Sequence, residues 1–553
     1  MNRNPVLRPS HAFVRTATFG GILLFARVVL AAGAAVPQFS VHEVALQATG
    51  IYTHPYIDLT ADAVLAEPGS KAVRVVPLFW DGGSAWKFRF APDKTGTWTW
   101  VVKSADPSLD GKSGSFDCLG SARQGSIRSM RGFPYHFERQ DGSPFWFMGD
   151  TAWALYTDSK EEMHDRAAAE RYIDARAAQG FNVLHSMLQA ESGWGNSGGP
   201  PWHEIASEKI NPAYWQELDW RLAYANAKGI VCGLALAWGD KRQVEPYAWR
   251  RFPSVEARKR YARYVAARYS AFEVFFIVSG EWHAEIRTRP DATEDSVRRE
   301  FFEIGHALRA ADSHARMIAI HPMTAQGSVR EFNEAAWMSF GDYQQNYRDL
   351  HERLLRSRSF GKPVVNAEYG YYLRDQSGDG VPDKDNSTSI EAMRHATWDI
   401  VMAGGYAVTG FGTTYFGGNR DPGAFNVATE KNKPWEAQMG HLKTLFRSLE
   451  WWKLEPHDEL LRCATPRGQD SRELNQVAPP KTTYWCLAEM DRQYLVYLRG
   501  LKEPINLAVS NDSLRARQFN PRTGEFTALG SAGSKRRFEY RPPDDQDWVI
   551  VLN

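Results

Sequence analysis

Between residue 133 and about residue 450 the chain repeats one unit: a short apolar run, then a stretch of helical periodicity. The apolar runs are FWFMGD (145–150), FNVLHSML (181–188), IVCGLALAW (230–238), VFFIVSGE (274–281), RMIAIH (316–321), AWMSFG (336–341), KPVVNAE (362–368) and YAVTGFG (406–412). A strand that is apolar throughout is buried on both faces, and a helix between successive strands makes them parallel. Eight such strands over about 300 residues predict an α/β fold, a (β/α)8 TIM barrel. The rival is an open doubly wound sheet, but no Gly-rich phosphate-binding turn follows the first run. Pro212, at the start of PAYWQELDWRLAYANAKG, and Gly229, at its end, mark one of the intervening helices.

The pattern differs on either side. Residues 38–118 contain VRVVPLFWDGG, AWKFRFAP and GTWTWVVKS, which alternate apolar and polar side chains between Gly-Gly, Pro-Asp and Thr-Gly turns. Such alternation predicts a small antiparallel β-sandwich. GSARQGSIR (120–128) reads as a linker. After LFRSLEWWKLEP (445–456) strands return, as TTYWCLAEM, YLVYLRG, INLAVS, RARQFNP and DWVIVLN, and predict a second sandwich. The expected domains are an N-terminal β-sandwich at 36–119, a barrel at 125–455 and a C-terminal β-sandwich at 456–553.

Residues 1–35 carry Arg3, Arg8 and Arg15, then an apolar stretch ending in Ala32-Gly33-Ala34, the pattern of a secretory signal peptide. Arg27 interrupts the apolar part and argues against an uncleaved membrane anchor. The mature chain is therefore expected outside the cytoplasm, periplasmic or extracellular, with no membrane span. Its 66 basic and 65 acidic residues nearly cancel, so no global field favours nucleic acid. Four cysteines exclude a disulfide-rich scaffold; Cys463 and Cys486 could form one bridge, while Cys232 reads as a small hydrophobe in its strand.

The strand ends carry the chemistry. In a barrel, residues at the C-terminal ends of the strands line the functional mouth. Glu281 ends the fourth run and Glu368 the seventh, and strands four and seven lie across the mouth from each other. Two facing carboxyl groups can cleave a glycosidic bond: one holds its proton as general acid, the other stays ionised and attacks the anomeric carbon. Either residue could instead be a structural ion-pair member.

These features resemble the apiosidase-like glycoside hydrolases. The matching stretches are FWFMGDTAWALY (145–156), ERYIDARAAQGFNVLH (170–185), FFIVSGEWH (275–283) and KPVVNAEYGY (362–371). QFNPRTGEF (518–526) with PPDDQDWVIVL (542–552) resembles the "putative collagen-binding" sandwich that follows such barrels. FWDGGSAWKFRFAPDKTGTWTW (79–100) resembles a module that precedes them. The resemblance implies a retaining double-displacement mechanism with Glu281 as acid/base and Glu368 as nucleophile. It also implies an oligo- or polysaccharide substrate of plant or microbial origin and no cofactor for catalysis. Where the wider clan of retaining barrels usually has Asn before the acid/base, this chain has Gly280. The alternatives are a carbohydrate-binding or scaffold protein with an inactive barrel and, more distantly, a polysaccharide lyase.

Further candidates for substrate binding are Asp150, Trp153, His185, Trp238, Trp282, His283, His321 and Tyr371, all at or near strand ends. Trp and Tyr offer flat faces for sugar rings; Asp150 could equally cap the next segment, and His185 could be a core histidine. In DQSGDGVPDKDN (375–386), Asp375, Ser377, Asp379, Gly380 and Asp383 follow the spacing of a calcium loop, although Asn386 stands where a bidentate Glu is expected. A structural Ca2+ is the expected occupant. Gly195-Asn196-Ser197-Gly198-Gly199 satisfies G-x-S-x-G, but no strand leads into it and no helix follows, so it is not a nucleophile elbow.

Overall fold

The structure is a computed structural model of the chain, and it describes residues 34–160, 164–190, 193–241, 243, 245–323, 326–327, 329–344, 350–372, 387–411, 433–468, 481–532 and 536–553. At its centre lies a nearly closed parallel barrel. Numbering only the barrel, its strands are β1 (Met148–Thr151), β2 (Val183–Met187), β3 (Val231–Ala235), β4 (Val274–Ile277), β5 (Ile318–Ala319), β6 (Gly341–Gln344), β7 (Val364–Asn366) and β8 (Tyr406–Phe411). β8 pairs back onto β1 with Ala407 opposite Met148, which closes the ring. No ladder joins β5 to β6 among the described residues. Ser339 bridges that gap: its backbone N–H donates to Ile318 O (2.7 Å) and its hydroxyl accepts from Ile318 N (3.0 Å).

The helices outside the ring are α1 (Arg166–Ala178), α2 (Pro212–Ala227), α3 (Val255–Tyr269), α4 (Glu294–Ala311), α5 (Leu350–Ser357), α6 (Ile390–Met402) and α7 (Lys433–Arg447). Asp165, Asn211, Ser254, Thr293 and Ser389 cap α1, α2, α3, α4 and α6 by accepting from first-turn N–H groups. Each short polar side chain ends its βα loop and fixes where the helix starts.

Strand six departs from expectation. The run AWMSFG is the connection into β6 rather than the strand, and its Trp337 and Phe340 fill the core outside and below it. The strand is the polar-looking Gly341–Gln344, whose Asp342 is fully buried. The expected linker also differs at its end. Ile127–Met130 pairs with Phe133–Arg139 in a small sheet that plugs the bottom of the barrel. There Phe137 packs against Phe147 (5.2 Å), Phe340 (5.9 Å) and Tyr406 (5.1 Å).

Two sandwiches flank the barrel. The N-terminal one lays a five-stranded sheet, whose middle strands are Gly96–Ser104 and Ala61–Ala66, over a three-stranded sheet built on Ala85–Phe90. Leu65, Trp86, Phe88, Phe90, Trp98 and Phe116 fill the space between them. The C-terminal one has a six-stranded sheet, including Thr483–Glu489 and Gln493–Arg499, and a three-stranded sheet. Cys463 and Cys486 lie on different sheets of this sandwich, and all four cysteines carry free thiols, so the expected bridge is absent. Cys232 is buried in β3, as expected.

Buried ion pairs stitch both sandwiches to the barrel. Arg89, from Ala85–Phe90, reaches Asp219 on α2 (2.5 Å) and donates to the Arg268 carbonyl on α3 (2.9 Å). Arg268 in turn pairs with Asp219 (2.7 Å) and with Asp81 of the sandwich (2.9 Å). On the other side, Arg499 forks onto Asp399 of α6 (2.7 and 2.8 Å), and Arg394 of α6 forks onto Asp547 (2.7 and 2.9 Å). No helix among the described residues is long and apolar enough to cross a membrane.

Candidate active site

Glu281 lies four residues past the end of β4, in a backbone conformation that side chains rarely adopt (φ 42°). The surrounding hydrogen bonds hold it there. Gly280 N–H donates to Ala237 O (3.0 Å), and Gly239 N–H donates to Gly280 O (2.8 Å), so the segments after β3 and β4 are pinned side by side. A strained residue of this kind costs about 1–3 kcal/mol and persists only when its surroundings fix it. The Trp238 indole lies flat over Gly280, where an added Cβ would come within 1.9 Å of the ring. Glycine precedes Glu281 because the indole fills the place of a side chain. Replacing Gly280 by Ala is expected to push Trp238 aside, costing about 1–3 kcal/mol of stability through overpacking. Loss of the Trp238–Glu281 contact should accompany it, read as a changed tryptophan fluorescence spectrum; a variant with unchanged spectrum and melting temperature would contradict the packing described.

Trp238 Nε1 donates to Glu281 Oε2 (3.1 Å), and Lys241 Nζ pairs with the same oxygen (2.7 Å). Burial works to raise the pKa of Glu281, but Lys241 and Trp238 outweigh it and hold the carboxyl below its ordinary range. Across the mouth, Glu368 lies two residues past β7. Tyr371 OH donates to its Oε1 (2.8 Å), and His321 Nε2 stands 3.4 Å from its Oε2. Trp153 Nε1 donates to the Tyr371 hydroxyl (2.9 Å). The other ring nitrogen of His321, Nδ1, is 3.2 Å from Asp342 Oδ1 on β6.

His321 thus sits between two carboxylates. Burial opposes its charge, yet Asp342 and Glu368 together push its pKa up to about 10. Burial pushes the Asp342 carboxyl up as well. The flanked imidazole is the group that keeps the proton, because it alone faces negative charge on both sides. A histidine whose pKa rises on folding stabilises the fold fully below its unfolded value and loses that contribution as pH climbs through the folded one. Stability is therefore expected to fall between about pH 6.5 and about pH 10, and the fall should be shallower in His321→Asn. Chemical denaturation across that range tests it; parallel slopes would rule out His321 as the titrating group.

Rings join the two carboxylates. Trp153 and Trp238 meet edge to face with centroids 5.0 Å apart, and His321 packs 5.5 Å from Trp238 and 5.8 Å from Trp153. Glu281 hangs from one end of this wall through Trp238, and Glu368 from the other through Tyr371 and His321. The two carboxylate side chains keep 10% and 13% of their surface open, whereas the rings beneath them are buried.

Of the residues expected at the site, Glu281, Glu368, Trp153, Trp238, His321 and Tyr371 come together. Three others do not reach it. Asp150 is fully buried, accepting from Tyr172 OH (2.7 Å) and Thr409 Oγ1 (3.1 Å) and pairing with Arg176 (2.5 Å); it ties β1 to α1 and β8 rather than touching a sugar. Trp282 is fully buried against Phe332 (5.1 Å) and Phe301 (6.3 Å), because the chain turns into the short helix Ala284–Thr288 and aims the indole at the core. His185 lies below the wall, fully buried among Phe147, Trp153 and Phe275, which makes it a core histidine. His283 is half-buried on the Trp282 ring (3.7 Å), and burial lowers its pKa to about 4. Asp375, Ser377, Asp379 and Asp383 of the expected calcium loop lie outside the described residues, as does the signal segment up to residue 33.

Two residues escaped the sequence reading. Asp342 follows a glycine in SFGDYQ, a pairing that reads as a turn. Lys241 belongs to a charged run, GDKRQ, that reads as solvated loop.

Residues 134–453 match the family described as "Apiosidase-like, catalytic domain". Residues 35–105 match a "Domain of unknown function (DUF5060)", and residues 478–553 match the "Putative collagen-binding domain of a collagenase". Among solved structures, a "putative glycoside hydrolase" from Bacteroides vulgatus ATCC 8482 superposes with a TM-score of 0.70 at 17% identity, over 94% of this chain and 99% of that one. A glycoside hydrolase family 5 protein from the same organism gives a TM-score of 0.59 at 17% identity, over 78% of this chain and 93% of its own. At such identities the likeness establishes a shared fold. No curated protein sequence matches the chain.

Proposed function

The chain belongs to the apiosidase-like family, and from that premise we propose that it is an exported glycoside hydrolase that cleaves plant or microbial saccharides with retention of configuration, Glu368 being the nucleophile and Glu281 the acid/base. One observation carries this reading: two partly open carboxylates hang from opposite ends of a single wall of Trp153, Trp238 and His321.

The surroundings of Glu368 suit the nucleophile's role, while Lys241 and Trp238 favour the ionised form of Glu281, the form that acts as base in the second half-reaction. Glu368 accepts from Tyr371 OH and faces His321 Nε2, and the two contacts orient it for attack on an anomeric carbon. As the Glu368–carbon bond forms, the glycosidic C–O bond breaks, and Glu281 gives its proton to the departing oxygen. In the second half Glu281 takes a proton from water, which attacks the glycosyl-enzyme and frees Glu368. Trp153 and Trp238 keep water away from the flank of the reacting centre, which strengthens each charge interaction there. The Arg-rich, apolar opening of the chain supports export.

The test is a panel of aryl glycosides with plant and bacterial polysaccharides, with product configuration followed by NMR before mutarotation. Cleavage with retained configuration is expected. An inverted product would remove Glu368 as nucleophile, and an unsaturated product absorbing in the ultraviolet would replace hydrolysis by elimination.

A further inference from the structure

Lys241 has no assigned part in such a reaction, yet its place is built. It stands on the loop between β3 and α3, and the root of that loop is fixed to the segment carrying Glu281. Besides the Gly239–Gly280 and Gly280–Ala237 hydrogen bonds, Asp240 N–H donates to Glu285 Oε1 (3.2 Å), and Trp249 N–H donates to Trp238 O (3.0 Å). An added Cβ on Gly239 would lie 2.5 Å from Glu281 O, so the two segments are in direct backbone contact. The Lys241 ammonium reaches Glu281 Oε2 over the Trp238 ring, 5.5 Å from its centroid, and keeps 29% of its side-chain surface open.

Among the described residues, both polar partners of Glu281 meet the same oxygen, Oε2. We propose that Lys241 is a positioning residue for the acid/base step, anchoring Oε2 together with Trp238 so that Oε1 carries the proton and faces the glycosidic oxygen. This rests on the reading of Glu281 as acid/base. The ammonium's charge favours the ionised form that later accepts a proton from water.

The other groups facing Glu281 set the sign of the test. The His321 cation approaches from β5, and His283, neutral at its lowered pKa, follows in the chain. Asp240 and Glu285 lie behind the loop, where Arg250 and Arg251 stand 3.5 Å from the Asp240 carboxylate. Removing Lys241 takes away the largest influence that lowers the Glu281 pKa and leaves burial, which raises it, opposed by Trp238 and His321. Glu281 then keeps its proton to higher pH.

The experiment compares pH profiles of kcat/KM for wild type, Lys241→Met and Lys241→Arg, using the phenyl glycoside of the first sugar cleaved in the panel, a poor leaving group that needs acid assistance. In Lys241→Met the alkaline limb is expected to move to higher pH, and Lys241→Arg should keep it near wild type. A lysine that merely braces the loop would lower the whole profile without moving its limb. Coincident alkaline limbs in all three proteins would overturn the proposal. Glu281→Ala with and without azide, assayed on the 2,4-dinitrophenyl glycoside, whose leaving group departs without a proton, separates the two levels. If azide restores turnover in Glu281→Ala while Lys241→Met leaves the limb unmoved, the Lys241 role fails and the acid/base reading stands. If Glu281→Ala retains the wild-type limb, that reading fails and the Lys241 role falls with it.

Discussion

Glu368→Gln is expected to lower kcat by about 10^4-fold or more while leaving the fold intact. The amide has the shape of the carboxylate and can still accept from Tyr371 OH. It cannot, however, form a stable ester with an anomeric carbon, nor balance the His321 cation. Removing the nucleophile of a covalent mechanism typically costs several powers of ten, and four powers correspond to about 5.4 kcal/mol of transition-state stabilisation. Glu281→Gln should cost less, about 10^2–10^4-fold, and least with 2,4-dinitrophenyl leaving groups that depart without a proton. Circular dichroism and melting temperature are the controls for both variants. Activity within tenfold of wild type in Glu368→Gln would remove that residue from the chemistry.

Asp150→Ala is expected to act oppositely, with a large loss of stability and no specific loss of catalysis. Its carboxylate is shared by Arg176, Tyr172 OH and Thr409 Oγ1, all inside the protein. Truncation strands the Arg176 guanidinium in a low-dielectric interior, and breaking a buried pair on one side costs about 3–5 kcal/mol. Asp150→Asn keeps hydrogen-bonding capacity toward Tyr172 or Thr409 and should fall between Ala and wild type. The measurement is the melting temperature, paired with kcat/KM per folded molecule well below it. A stable Asp150→Ala protein with impaired KM would restore the sugar contact that its position in MGDTAW suggests.

The contrast between these residues marks what a sequence can carry. The barrel was legible because buried parallel strands announce themselves as apolar bursts, and because Glu281 and Glu368 interrupt two of those bursts with charge. Strand six was not, since its burial depends on Asp342 meeting His321 from a neighbouring strand, and no local pattern encodes that meeting. Position near a strand end brought Trp153, Trp238 and Tyr371 beside the two glutamates, but they are buried there as hydrogen-bond donors rather than open as stacking faces. It misled for Trp282 and Asp150, because one residue of backbone rotation decides between mouth and core. Lys241 was hidden for a related reason: its partner lies forty residues away, and the hydrogen bonds that bring the loop back belong to Gly239 and Gly280. Cys463 and Cys486 looked like a pair because they share the C-terminal sandwich, yet both thiols are free.

The ion pairs along the barrel's flanks bear on how this molecule can be divided. A piece excised at the limits of the family match, 134–453, would keep Asp219, Arg268, Arg394 and Asp399 and forfeit Arg89, Asp81, Asp547 and Arg499. Four charges sited for dry surroundings would then meet solvent or one another, with α2, α3 and α6 deprived of their outer walls. The shoulders are thus load-sharing parts of the catalytic body, and homology limits are a poor guide to where it can be cut.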